Sequence, residues 1–359
     1  MPVTLVLSND EVSGLLAMPE CIEVLEQVYS ELARGLCLSR TTSECMAPSK
    51  RPDAVYALKS MDGVIPSLGV GSVRINSDLL TAPSEGGRMR RVKVPAAPNN
   101  RYVGLVFLFS SETGEPLAIF PDGVVQRFRV GATNALGAKY LARDDSSSVA
   151  ILGSGWQAET QLTGVCTVRS IDTVRCYSPN RERREAFAAR MSRQLDMAVT
   201  AVDAPEQAVA GADIVLCASN ALDPIFFAPW VEPGMHLSSI KRPEIEPKAL
   251  RRVDRLVVHT HDKGSTVLTT ADLQDPEKAA GKGRAAAEEI DFQTLPCLAD
   301  LVSGGTAGRR SDEEVTCLVN HMGLGLQFAA VGAVVYRKAK AKGIGHDLPT
   351  DWFTEKEHP

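Results

Sequence analysis

The stretch VAILGSGWQAETQL, residues 149–162, constrains the fold of this chain more than any other. VAIL is an apolar run of strand length, Gly153 permits a tight turn, and Gly155 lets a phosphate come close to the backbone. Ala158 stands where a third glycine would, and QAETQLTGVCTV continues as a helix whose first amides face an anion. Strand, glycine turn and helix in that order form a dinucleotide cradle, which Ser154, Trp156 and Gln157 complete.

Apolar runs at 149–152, 173–177, 197–202, 213–218, 235–240 and 255–259, each followed by room for a crossover, predict a doubly wound parallel sheet of the Rossmann type. Ala218, Ser219 and Ser239, at strand ends, join the expected cofactor contacts. The second run ends in RCYSPNRERRE, where an NAD site carries an acid for the adenine ribose. Here no carboxylate precedes Glu182, and Ser178, Asn180 and Arg181 offer donors and a cation to a 2′-phosphate. NADP is therefore the expected cofactor, with NAD as the alternative. In the competing reading the arginines solvate the next helix beside Glu182 and Glu185, which suits Arg183 and Arg184 better than Arg181.

The flanking segments follow other patterns. PECIEVLEQVYSELARG sets Ile22, Leu25, Val28, Tyr29 and Leu32 on one helical face. From about 53 to 130, short β-branched and apolar runs predict antiparallel strands, with Ser-Glu-Thr-Gly as a hairpin connection in YVGLVFLFSSETGEPLAIF. TAPSEGGRMRRVKVPAAPNN reads as a surface loop, and GATNALGAKYLARDD as a helix leading into the cradle. SDEEVTCLVNHMGLGLQFAAVGAVVYRKAKAKG reads as a final helix opening at Ser311, with Glu314 in capping-box spacing, that packs back on the first part of the chain.

At 359 residues the chain suits two domains. A net charge of -5 without blocks of like charge argues against nucleic acid or an anionic membrane as partner and favours a small molecule. No apolar run is long enough to span a bilayer, and a cytoplasmic location is expected. The eight cysteines lack C-x-x-C pairs and metal-ligand spacing and read as reduced core thiols.

LAIFPDGVVQRFRVGATNALGAKYLAR, running into VAILGSGWQA, resembles the ornithine cyclodeaminase/mu-crystallin family. LVLSNDEVSGLLAMPECIEVLEQ, ETGEPLAIFPDG and LADLVSGGTAGRRSDEEVT extend the likeness along most of the chain. The resemblance implies an α+β substrate-binding and dimerisation domain over 1–130 plus 311–359, with a Rossmann dinucleotide-binding domain over 131–310 inserted, the active site in the cleft, and a homodimer. It also implies an NAD(P)-dependent oxidoreductase that transfers hydride at the α-carbon of an α-amino acid or a cyclic imino acid. The family's other roles are a cyclodeaminase-type lyase with recycled NAD and a non-catalytic binder of mu-crystallin type.

Such a hydride step needs an anion clamp, a proton carrier and a cleft that excludes water. Arg129 in RFRVGATNA and Arg40 in CLSRTTS match the family's carboxylate-binding arginines. Where the family has a lysine, GVGSVRINSD carries Arg74, which keeps the charge but does not readily release a proton, so Lys59 in YALKSMDG becomes the substitute amine. The cyclodeaminases' aspartate motif is replaced by HLSSIKRPEIEPKAL, which leaves Lys241 and Glu244 as the residues to face a nicotinamide and argues against ornithine cyclisation. His259 and His261 in VVHTHDK would share a strand face, but without a third ligand no metal is expected. His321 in NHMGLG either approaches the cleft or is an interior histidine.

Overall fold

The computed structural model describes residues 2–81, 84–85, 88–89, 92–221, 223–261, 266–269 and 290–357. The buried apolar runs read above become a seven-stranded sheet, parallel throughout, in the order Val199–Ala201, Thr173–Tyr177, Ser148–Leu152, Ile214–Cys217, His236–Ser239, Thr316–Val319, Arg255–Val258. The direction of strand succession reverses between Ser148–Leu152 and Ile214–Cys217, and ligands of such sheets bind in the crevice at that reversal.

All six strands expected in this region form. The seventh, Thr316–Val319, replaces the first part of the helix expected from Ser311. Its four residues are all buried between two neighbouring strands, and a run of that length carries no period that separates strand from helix. The final helix begins only at Gly325 and runs to Lys342, where Gly343 in the left-handed region ends it. The parallel sheet therefore extends beyond position 310.

The second sheet contains ten strands among the described residues and is mostly antiparallel. Val103–Ser110 and Pro116–Pro121 form the expected hairpin around Ser111–Gly114. Val3–Val6 joins the sheet beside Pro116–Pro121 and pairs on its other side with His346–Pro349, so the two chain ends meet there. Helices Met18–Ala33, Gly123–Leu141 and Gly325–Lys342 share one core with this sheet, in which Tyr29, Leu108, Phe120, Leu136 and Phe328 are buried. Of the stretch expected as a surface loop over 81–100, the side chains of 82–91 lie outside the described residues, while Val92–Val94 pairs with Leu79–Thr81. The cysteines are free thiols, five of them buried, but Cys45 is exposed, contrary to its reading as a core thiol. Cys45 sits on the outward face of an edge-side strand, where the antiparallel period alternates in and out.

Gly123–Leu141 joins the two sheets. It crosses the cradle helix Trp156–Val168 so closely that a Cβ on Gly131 would lie 2.4 Å from the Thr160 carbonyl oxygen, and one on Gly164 would lie 2.7 Å from that of Gly131. Two glycines let backbone rest on backbone, which fixes the first turns of the joining helix beside the dinucleotide loop. Gly131→Ala should cost about 1 to 3 kcal/mol of stability by forcing the helices apart, read as a lower urea midpoint at unchanged m-value.

Candidate active site

The cradle has the geometry its sequence implies. Val149, Ala150, Ile151 and Leu152 are buried, and Gly153 turns the chain at φ +141 while its amide donates to the Tyr177 carbonyl at 2.9 Å. A Cβ on Gly153 would lie 2.1 Å from the Ala218 carbonyl oxygen, so no other residue fits. Gly155 caps the helix Trp156–Val168, and a Cβ there would meet nothing within 4 Å. The space in front of the helix amides is thus open, as a pyrophosphate requires. The Gln157 Oε1, in the first turn of the cradle helix, and the buried Ser239 hydroxyl, at a strand end, have no hydrogen-bond partner among the described residues. An open cradle and these unpaired polar atoms fit a nicotinamide dinucleotide.

The second strand end separates the residues expected there. The Ser178 hydroxyl bonds that of Ser154 at 2.8 Å, tying the first two strand ends together. Asn180 caps the next helix through its Oδ1, which accepts the Arg183 amide at 2.8 Å. Arg181 is exposed and pairs with Glu185 at 2.7 Å, whereas Arg184 is buried, donates to the Ser178 carbonyl at 3.2 Å and pairs with Asp203. Arg184 is therefore a strut of the fold rather than the surface charge its sequence context suggested.

Glu244 does not present a free carboxylate to the cleft. Its Oε1 accepts from the Ser219 amide at 2.7 Å and the Ser219 hydroxyl at 3.0 Å, and its Oε2 from the amides of Ile240 at 2.9 Å and Lys241 at 3.2 Å. The fully buried side chain thereby latches together the loops after Ile214–Cys217 and His236–Ser239. Burial pushes its pKa up and these donors oppose the shift. The Lys241 ammonium donates to the Ala221 carbonyl at 3.1 Å, and burial lowers its pKa.

Arg129 and Arg74 come together over one ring. Their guanidinium carbons lie 5.3 and 5.2 Å from the centroid of Phe328. Arg74 is neutralised by Asp122 at 2.7 Å, which also accepts from Asn76 at 3.1 Å. Arg129, 5 % exposed, has no ion pair among the described residues: its Nη1 donates to the neutral Gln327 amide oxygen at 2.9 Å, and its Nε has no partner. Burial and the neighbouring Arg74 charge lower its pKa to about 9, so it stays cationic at neutral pH. A Cβ on Gly323 would lie 2.9 Å from its Nη2, so the chain keeps a side chain out of that space.

Lys59 lies on the same sheet face, opposite Asn76 in the neighbouring strand, and pairs with Glu44 at 3.1 Å. Arg40 is exposed and pairs with Asp62 at 2.9 Å, while its carbonyl accepts the Gly325 amide that opens the final helix. Lys59 and Arg74 thus share the Phe328 side of the sheet, with Arg40 at its rim. The histidines diverge. His259 turns inward to Tyr29, whereas His261 is exposed, and one of its ring nitrogens lies within 4.8 Å of ligand atoms of Cys297 and Asp300. Asp300 there accepts the Cys297 amide at 3.2 Å and so completes a helix cap. His321 is half-buried, within hydrogen-bond distance of the Val319 carbonyl and against Phe292.

Sequence reasoning passed over Arg127, whose guanidinium lies 4.9 Å from the Trp156 ring centroid at the cradle mouth. It also passed over Gln327 and the hydroxyl of Tyr29. Both carried a signal: each is a polar group within an apolar helical stretch and needs a partner once buried.

The fold and this crevice define an α/β protein of the dinucleotide-binding type, in which two buried arginines meet over Phe328. The ornithine cyclodeaminase/mu-crystallin family profile matches residues 3–343, and the chain belongs to that family. It is 27% identical over 350 residues to a Delta(1)-pyrroline-2-carboxylate reductase of Bacillus cereus, covering 96% of this chain and 99% of that one. The ketimine reductase mu-crystallin of Rattus norvegicus is 28% identical over 277 residues, 74% of this chain and 83% of its own. The structure of Thermococcus litoralis Delta(1)-pyrroline-2-carboxylate reductase in complex with NADH and L-proline superposes with TM-score 0.75 at 26% identity, covering 96% of this chain and 100% of that one. No helix of the described residues is long and apolar enough to cross a membrane.

Burial, and secondarily nearby arginine charge, lowers the pKa of both His236 and His259 from 6.5 to about 3. Between those values the unfolded imidazoles bind protons that the folded ones do not, so their contribution is complete above pH 6.5 and is lost as pH falls toward 3. Each histidine should remove up to about 1.4 kcal/mol of stability per pH unit in that window. Urea unfolding of His236→Gln should therefore show a shallower loss between neutral pH and pH 4.5 (roughly the window's middle) than the parent.

Proposed function

We propose that the chain is an NADP-dependent reductase of α-imino acids, cyclic ones in particular. The observation that carries this reading is the buried, unneutralised guanidinium of Arg129, with donor capacity unused, on the helix whose Gly131 rests against the cradle helix. A bound nicotinamide dinucleotide supplies the hydride that reaches the α-carbon. The protein's own residues do the rest. Arg129 binds the substrate carboxylate, Phe328 packs against both guanidinium groups, and Arg74, already balanced by Asp122, orients the anion without adding net charge. Lys59, held by Glu44 on the same sheet face, gives the proton to the imine nitrogen.

Glu244, with both oxygens already accepting, holds the crevice loops in place rather than carrying a proton. That favours reduction over cyclising deamination, whose acid has no counterpart in HLSSIKRPEIEPKAL. Arg181, exposed at the second strand end, supports a preference for a 2′-phosphate. The mixed sheet supports a homodimer: Leu268, Cys45, Leu58 and Val103 are exposed and lie in a row across the pairing register, with Ser77 between the last two. The substrate-binding and dimerisation domain is then this sheet with its helices, beside the Rossmann domain.

Oxidation of NADPH, followed by absorbance with Delta(1)-pyrroline-2-carboxylate and related cyclic imines, tests the reading. Turnover is expected, with a lower KM for NADPH than for NADH. Binding of NADPH without turnover across the panel would instead support a binding role. Arg129→Gln should raise the imino-acid KM about 10- to 100-fold, the value of a charge-assisted contact, and leave cofactor affinity unchanged. Lys59→Met should lower kcat with little change in KM.

A further inference from the structure

Resting on the reading of Arg129 as the carboxylate anchor, we propose that Tyr29 and His259 are positioning residues that aim its guanidinium through a hydrogen-bond chain of fixed polarity. The chain starts at the Met322 carbonyl, which only accepts, so His259 donates to it from Nδ1. The neutral ring then offers Nε2 as an acceptor, and the Tyr29 hydroxyl donates to it at 2.6 Å. The Tyr29 oxygen accepts from Gln327 Nε2 at 3.0 Å. That leaves the Gln327 carbonyl oxygen facing two donors, the Leu324 amide and Arg129 Nη1, both at 2.9 Å. Thr133 braces the middle of the chain: its hydroxyl donates to the Arg129 carbonyl at 2.7 Å and accepts from Gln327 Nε2 at 2.8 Å.

With the Tyr29 hydrogen given to His259 and the Thr133 hydrogen to the Arg129 carbonyl, the 3.2 Å contact between the two hydroxyl oxygens holds no hydrogen, and the backbone groups at the ends set the direction of the rest. Tyr29, Thr133, His259 and Gln327 are all at most 1 % exposed, so water does not offer an alternative partner. The chain has no proton to give away, and it carries no charge to neutralise Arg129. It fixes direction and leaves the cation available. It also crosses the molecule: His259 follows the strand Arg255–Val258 of the parallel sheet, Tyr29 belongs to the helix Met18–Ala33, and Arg129 to the joining helix. The anion seat is thereby registered to the sheet that carries the cofactor cradle.

The test has two arms. In the full-length protein, histidine-selective nitrogen NMR at neutral pH should show His259 neutral with its proton on Nδ1. A proton on Nε2, or an imidazolium, would overturn the proposal whether or not the protein turns over any imino acid. In the second arm, Tyr29→Phe keeps the ring and removes the hydroxyl. The KM for Delta(1)-pyrroline-2-carboxylate should rise about tenfold, with kcat and NADPH affinity held within about threefold. His259→Gln, assayed alongside in case Tyr29→Phe folds poorly, should shift the same parameter in the same direction. A drop in kcat at unchanged KM, or unaltered kinetics in both folded variants, would overturn the positioning role. Absence of turnover in the parent protein would instead count against the reductase reading and leave the tautomer result to stand by itself.

Discussion

The crossing of Gly123–Leu141 over Trp156–Val168 is the contact on which the rest depends. Two glycines remove the side chains that would separate the helices, and Arg129 lies two residues before one of them. Around the crossing the contact is polar as well as close: Asn134 donates to Gln161 at 2.6 Å and accepts from Asn320 at 2.8 Å, both across elements. Cradle, joining helix and the end of Thr316–Val319 are thus held in one register. Without that register an arginine in one part of the chain and a dinucleotide loop in another would have no fixed distance between them.

The cradle and the parallel sheet were legible because they rest on local rules. A buried run, a glycine turn and a helix announce themselves in consecutive residues, and the six expected strands formed where their apolar runs lay. Thr316–Val319 was hidden because it is four residues long and flanked by segments with helical character. The site was legible by residue type but not by partner. Arg129 and Arg74 could be named as cations, yet that one is balanced by Asp122 and the other left open depends on contacts between residues 48 and 198 positions apart. Glu244 shows the same limit from the opposite side, since its donors, three backbone amides and the Ser219 hydroxyl, come from loops that fold around it.

The departures from the family pattern then form a consistent set. Arg74 cannot act as lysine does, but with Asp122 it makes a neutral pair beside Phe328 and Arg129. In the proposed reaction the amine function falls to Lys59 on the adjoining strand. Where the cyclodeaminases carry an acid, this chain has none, and the nearby Glu244 is a latch between two loops at the crevice. At Arg74 and Glu244 the side chains supply geometry rather than proton chemistry, as suits a reaction in which the cofactor carries the redox step.

The most direct test follows the label rather than the rate. NADPH carrying deuterium at the transferable position is incubated with the protein and Delta(1)-pyrroline-2-carboxylate, and the product is analysed by NMR. The account predicts deuterium on the α-carbon of the resulting proline. An unlabelled α-carbon, or no proline from protein that binds the cofactor, would contradict it.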